Sequence, residues 1–129
     1  MQHSRFILLI VLLGLASGCN SGRQTVTGRV TYDDGTPVTE GTVVAEATID
    51  GKMVGLQGNI ERDGTFRMGG ATPGDGALPG SYQVKIIAPS LSDFDKGQGK
   101  KPAFSEKSGI TLEVKQGKNE LPIQVQRPK

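Results

Sequence analysis

Apolar and polar positions alternate in short runs along most of this chain, with a period of two rather than the 3.6 of a helix. Val26, Gly28, Val30 and Tyr32 share one face of a predicted strand, and Thr25, Thr27, Arg29 and Thr31 share the other. "DDGTPV" (Asp33 to Val38) breaks the run with turn residues. Thr42 to Ile49 gathers Val43, Ala45 and Ala47 on one side and meets Asp50-Gly51, the composition of a two-residue hairpin loop. That loop pairs Ile49 with Lys52, Ala47 with Val54 and Ala45 with Leu56. Apolar then faces apolar, as a half-buried sheet requires.

The same test on "ERDGTFRM" selects a three-residue loop, Arg62-Asp63-Gly64. It pairs Ile60 with Phe66 and Gly58 with Met68, and sets Gly64 where a positive φ is needed. "GGATPGDGALPG" (Gly69 to Gly80) reads as a loop. Tyr82, Val84, Ile86 and Ala88 alternate after it, then Ile110, Leu112 and Val114, and finally Leu121, Ile123 and Val125 beyond a turn at Gln116 to Asn119. Seven short strands separated by turns predict an all-β chain folded as a β-sandwich, with Phe66 and Tyr82 as core anchors. No helical period is visible after the leading segment.

That leading segment is a short basic stretch, Met1 to Arg5, followed by an apolar run from Phe6 to Ala16 broken only by Gly14. The run is well short of the roughly 20 apolar residues of a spanning helix and matches the apolar region of a helical signal peptide. Ala16-Ser17-Gly18 then precede Cys19, the only cysteine, and polar Asn20-Ser21-Gly22 follow. This resembles a bacterial lipobox, in which the signal (1–18) is removed and the Cys thiol carries diacylglycerol. One departure is Ala16, where the pattern usually has Leu; here Leu15 stands one place earlier. The expected organisation is a signal over 1–18, a lipidated Cys19 and flexible tether over 19–24, and a domain over 25–127. The chain is then exported and lipid-anchored to a bacterial membrane, at the periplasmic face or cell surface. A lone cysteine excludes an internal disulfide.

"VTGRVTYDDGTPVTEGTVV", "DGTFRM" and "PGSYQVKI" resemble the carboxypeptidase-regulatory-like domain. The likeness extends to small lipoproteins made of a lipobox and one such domain. It covers Val26 to Val125 and implies a seven-stranded, prealbumin-like or Ig-like Greek-key sandwich. It implies little chemistry, because such domains serve as accessory modules. The histidines of transthyretin-like hydrolases have no counterpart here.

Composition narrows the chemistry further. The only histidine is His3, inside the expected signal, so no imidazole and no free thiol would remain in the mature chain. Ser-His-Asp and Cys-His catalysis and His or Cys zinc sites are thereby excluded, and no catalytic residue, metal or cofactor is expected. Net charge is +2 for the whole chain. Past the signal 14 basic residues stand against 13 acidic ones, with no basic cluster between aromatic stackers, so nucleic acid is not an expected partner. Asp33, Asp34, Asp50, Asp63 and Asp75 sit beside turns, where local hydrogen bonding favours Asp. "SDFD" (Ser92 to Asp95) could offer oxygens to Ca²⁺ but lacks EF-hand spacing. A Lys–Asn isopeptide bond is blocked because the first strand carries Arg29, not Lys, which leaves Asn119 a turn role.

One stretch stays open. Pro89 to Ser108 is long for a loop and holds Phe94, Lys96, Lys100, Lys101, Phe104 and Lys107. As a binding loop its contacts would be Phe94, Lys96, Lys100, Lys101 and Phe104, with an envelope protein, a peptide or a glycan as partner. As an edge cover it would tuck one ring, Phe104, over a sheet. The expected function is a non-catalytic lipid-anchored accessory, structural or interaction domain, the alternative being a carbohydrate- or peptide-binding module.

Overall fold

Seven strands form in the computed structural model, which describes residues 22–128. They are β1 (Val26–Tyr32), β2 (Thr42–Ile49), β3 (Lys52–Asn59), β4 (Thr65–Arg67), β5 (Gly80–Ile87), β6 (Lys107–Val114) and β7 (Asn119–Val125). A three-stranded sheet, β4-β1-β7, faces a four-stranded sheet, β3-β2-β5-β6, so the all-β sandwich is the observed fold. The expected signal peptide over 1–18, Cys19 and Asn20-Ser21 lie outside the described residues.

The period-two pattern fixes what each strand contributes to the core. Val26 and Val30 of β1 and Leu121, Ile123 and Val125 of β7 are buried. From the larger sheet come Val43, Ala45 and Ala47, Leu56, Tyr82, Val84 and Ile86, and Leu112 and Val114. Phe66 and Tyr82 are both buried, the anchors the sequence predicts. The Tyr82 hydroxyl donates to the Leu78 carbonyl at 2.8 Å.

The β2–β3 hairpin has the predicted register, with Ile49 opposite Lys52, Ala47 opposite Val54 and Ala45 opposite Leu56. Asp50 (φ 51°) and Gly51 (φ 75°) both take positive φ, the requirement of the turn type whose twist matches the flanking strands.

The Arg62-Asp63-Gly64 loop also forms. The Glu61 amide donates to the Thr65 carbonyl at 2.8 Å, and Gly64 has φ 85°. Farther out, Gln57 and Gly69 exchange two backbone bonds in the same register. Between those points the expected Ile60–Phe66 and Gly58–Met68 ladder gives way. The chain crosses to the other sheet, where β4 pairs antiparallel with β1 and Gly28 faces Phe66. Local register chooses the loop, but the unpaired edge of β1 takes the strand.

"DDGTPV" repeats this device. Tyr32 and Thr36 close a three-residue loop with Gly35 at φ 86°. In both loops an Asp-Gly-Thr run ties itself off, Asp34 Oδ1 accepting from the Thr36 amide at 2.9 Å and Asp63 Oδ1 from the Thr65 amide at 3.0 Å.

β1 and β7 run parallel, from Val26 opposite Asn119 to Tyr32 opposite Val125. The free side of β7 is blunted by Pro122, by Lys107 Nζ donating to the Gln124 carbonyl (3.0 Å) and by the Ser105 amide donating to the Gln126 carbonyl (2.9 Å). β6 shifts register between Val84 and Ile86 of its partner strand, with Gly109 at φ 76°, a bulge on the edge of the larger sheet beside β7.

Two expectations need correction. A helix does follow the leading segment: α1 (Asp93–Gly97) is one turn, too short to show a period, set by Ser92, whose side chain accepts from the Asp95 amide. The tether does not run free to residue 24 either. Gln24 and Ala77 exchange backbone bonds of 2.7 and 2.9 Å, and Arg23 donates to the Gly76 carbonyl at 3.1 Å. Their partners are more than fifty residues away, beyond local pattern.

Candidate functional site

The Pro89–Ser108 stretch divides into a projecting half and a latched half. α1 carries the projecting half, where Phe94 is 73% exposed. Its charges are largely spoken for. Lys100 Nζ lies 2.7 Å from Asp95 Oδ1, and Lys96 lies 3.6 Å from Asp93. The Lys100 ammonium, then the Ser92 hydroxyl, hold the Asp95 carboxyl below its ordinary range. Both Asp95 oxygens are therefore engaged, Oδ2 by the Ser92 hydroxyl at 2.7 Å, so "SDFD" works as a helix cap and ion pair. Lys101 is exposed next to it.

The latched half removes Phe104 from any contact surface. The ring is fully buried, and a Cβ placed on Gly41 would stand 2.8 Å from its Cζ, so the glycine makes room for it. The Tyr32 hydroxyl donates to the neighbouring Ala103 carbonyl at 3.0 Å, and the Arg127 guanidinium sits 4.1 Å from the centre of the Tyr32 ring. Arg127 also reaches Asp34 at 3.2 Å. Of the five loop residues, four stay on the surface and the fifth joins the core as the predicted cover. The four are not drawn into one concave site.

Sequence reading misses a concavity on the smaller sheet. A cleft of about 850 Å³ opens on the outer face of the smaller sheet. Its floor includes Thr27, Arg29, Thr65, Arg67, Glu120 and Pro122, while Gln57 to Asn59, Glu61 and the Gly70–Gly74 loop contribute its sides. Register sets Arg67, Thr27 and Glu120 side by side across the three strands. Arg29 Nε donates to the Asp63 carbonyl at 3.2 Å. The polar face of β1 was legible as Thr27 and Arg29; the wall was not, because Gly69 to Gly80 has no periodicity. The wall is held by Asp75, whose Oδ1 accepts from the Gly70 amide at 2.8 Å and lies 3.6 Å from Arg23. The cleft offers charge of both signs and hydrogen-bonding groups, chemistry that suits binding a polar ligand.

Asn119 has the turn role expected of it. Its Nδ2 donates to the Lys115 carbonyl (2.8 Å), and its Oδ1 accepts from the Lys115 amide (2.8 Å). Arg29 points to a different loop. Among the described residues no group of three or more acidic, His or Cys side chains could hold a metal ion, and no helix is long and apolar enough to cross a membrane. No protein-family model matches this chain, and no curated protein matches it in sequence.

Proposed function

We propose that this chain is an exported protein, lipid-anchored through Cys19, whose β-sandwich is a non-catalytic accessory or interaction domain of the carboxypeptidase-regulatory-like kind. The observation that carries the reading is how soon the fold begins after the lipobox. Arg23 is already bonded to Gly76 and Asp75, and Gln24 to Ala77, so only Asn20, Ser21 and Gly22 separate Cys19 from the fixed chain. An acyl anchor on Cys19, so few residues away, would hold the sandwich close to a bilayer. Two or three acyl chains give stable anchoring where one gives only marginal binding. The absence of any imidazole past His3 favours binding over acid–base catalysis.

The test is the intact mass of the native protein extracted from membranes, beside a Cys19→Ala variant. A chain starting at Cys19 and carrying acyl mass, lost in the variant, is the expected result. An unacylated chain starting at Asn20 or later overturns it.

A second reading, a carbohydrate- or peptide-binding module, is favoured by Phe94, an exposed ring on a capped helical turn. Binding on a glycan or peptide array that Phe94→Ala abolishes would support it.

A further inference from the structure

The ends of the strands sort the surface into two poles. At one pole lie the starts of β1, β5 and β7 and the end of β6, because Val26 faces Asn119 and Gly80 faces Val114. The β2–β3 hairpin joins them, since the side chain of Ile49 lies against Gly80. The N-terminal segment leaves the body here too, with Gly22 beside the Leu78 side chain. At the opposite pole stand the Asp33–Gly35 and Arg62–Gly64 loops, the start of β2 and the end of β5, from which the chain runs on towards α1.

The exit pole has a distinct surface. The turns there expose Lys52, Lys115 and Lys118 against Asp50, while the exposed Glu113 and Glu120 sit one residue back along β6 and β7. Asp75 is offset by Arg23. Met53, 76% exposed, stands next to Lys52, and Pro79 is exposed beside half-buried Leu78. At the opposite pole the two strand-connecting loops carry Asp33, Asp34, Glu61 and Asp63 against Arg62, with Arg127 paired to Asp34.

We infer that the exit pole, made of the Asp50–Met53 turn, Leu78-Pro79 and the Lys115–Lys118 turn, docks on anionic phospholipid headgroups. This rests on the anchoring of Cys19. The residue steps from Cys19 to Arg23 span at most about 14 Å when fully extended. Crossing the headgroup layer, roughly 6 Å per leaflet, uses nearly half of that. Arg23 is then held within about 8 Å of the lipid surface, one Debye length at physiological ionic strength, and brings its pole to where lysines feel anionic lipid. Tether length and charge select the same pole, and Met53 and Pro79 supply apolar contact at the interface. α1 and Phe94 then point away from the membrane.

The experiment uses the acylated chain, with acylation verified by intact mass, in vesicles of phosphatidylglycerol and phosphatidylcholine. With Cys19 capped, an added cysteine is the only free thiol. One fluorophore goes on Gln116→Cys at the exit pole and another on Gly97→Cys, where a Cβ meets nothing. A headgroup-linked quencher lipid should quench the first several-fold more than the second. The difference should shrink in phosphatidylcholine alone, and in a variant with Lys52, Lys115 and Lys118 changed to Glu. Equal quenching of both probes on an acylated chain overturns the docking while leaving the anchor intact. A mature chain without acyl mass overturns the anchor, and the docking with it, and the mass alone tells the two failures apart.

Discussion

Gly28 and Phe66 face each other across the β1–β4 pair with no room for a side chain between them. A Cβ on Gly28 would overlap both the Phe66 ring and the Leu121 carbonyl of the neighbouring strand. The glycine is set by close approach of ring and backbone, since its φ is not positive. Gly28→Ala should therefore destabilise the fold by about 2–3 kcal/mol through overpacking, read from urea denaturation midpoints. A midpoint equal to the parent's would mean that β4 can move aside.

Asn119 joins the β6–β7 turn to the start of β1. Its amide donates to the Lys115 and Gly117 carbonyls, and the Thr25 carbonyl lies 3.4 Å away. Asn119→Asp replaces these donors with oxygens aimed at carbonyls in a buried position. A loss of about 1–3 kcal/mol is expected at neutral pH, measured by thermal or chemical unfolding.

Acid should loosen the two Asp-Gly-Thr loops. The Thr36 amide and hydroxyl, then Arg127, lower Asp34 from 3.8 to about 2, and the Thr65 hydroxyl and amide lower Asp63. A carboxyl whose folded pKa lies below its unfolded one stabilises the fold above the unfolded value and ceases to as pH falls through the folded value. Asp34 thus contributes fully above about pH 4 and stops contributing near pH 2. Melting curves of Asp34→Asn and the parent should differ most at neutral pH and converge in acid. A constant difference across that range would exclude the mechanism.

Phe94 and Phe104 should answer truncation in opposite ways. Phe104→Ala empties a fully buried ring site and should cost about 3–5 kcal/mol. Phe94→Ala removes an exposed ring and should change stability by no more than about 0.5 kcal/mol. Parallel denaturation curves of the two variants settle the contrast.

Sequence reading succeeds here where neighbours in sequence are neighbours in space. Asp50-Gly51 carries its own register, and Arg62-Asp63-Gly64 does so through the Glu61–Thr65 closure. It stops where a strand chooses between two edges, as β4 does when it leaves β3 for β1. Nor could pattern show that Arg23 meets Asp75 or that Gly70 to Gly74 walls a cleft, because those contacts join segments without periodicity. Phe104 was legible as a covering ring only as one of two aromatics, with Phe94, in a polar stretch beside a sheet edge. The cap at Ser92 was not legible, because Ser92 to Asp95 reads only as a source of oxygen ligands and one helical turn shows no period.

The parallel pairing of β1 with β7 bears on how the molecule comes into being. β1 meets its longest partner only when β7 arrives, and until then it has the three residues of β4 and the short Thr31–Pro37 bridge. Ending the chain before Asn119 would strip the smaller sheet to one short pair. A chain that emerges N-terminus first from a ribosome thus cannot complete this sheet until Asn119 to Val125 has emerged. Pairing between distant segments also slows folding. The smaller sheet is in effect fastened by β7, and a nascent chain leaves it open until that strand forms.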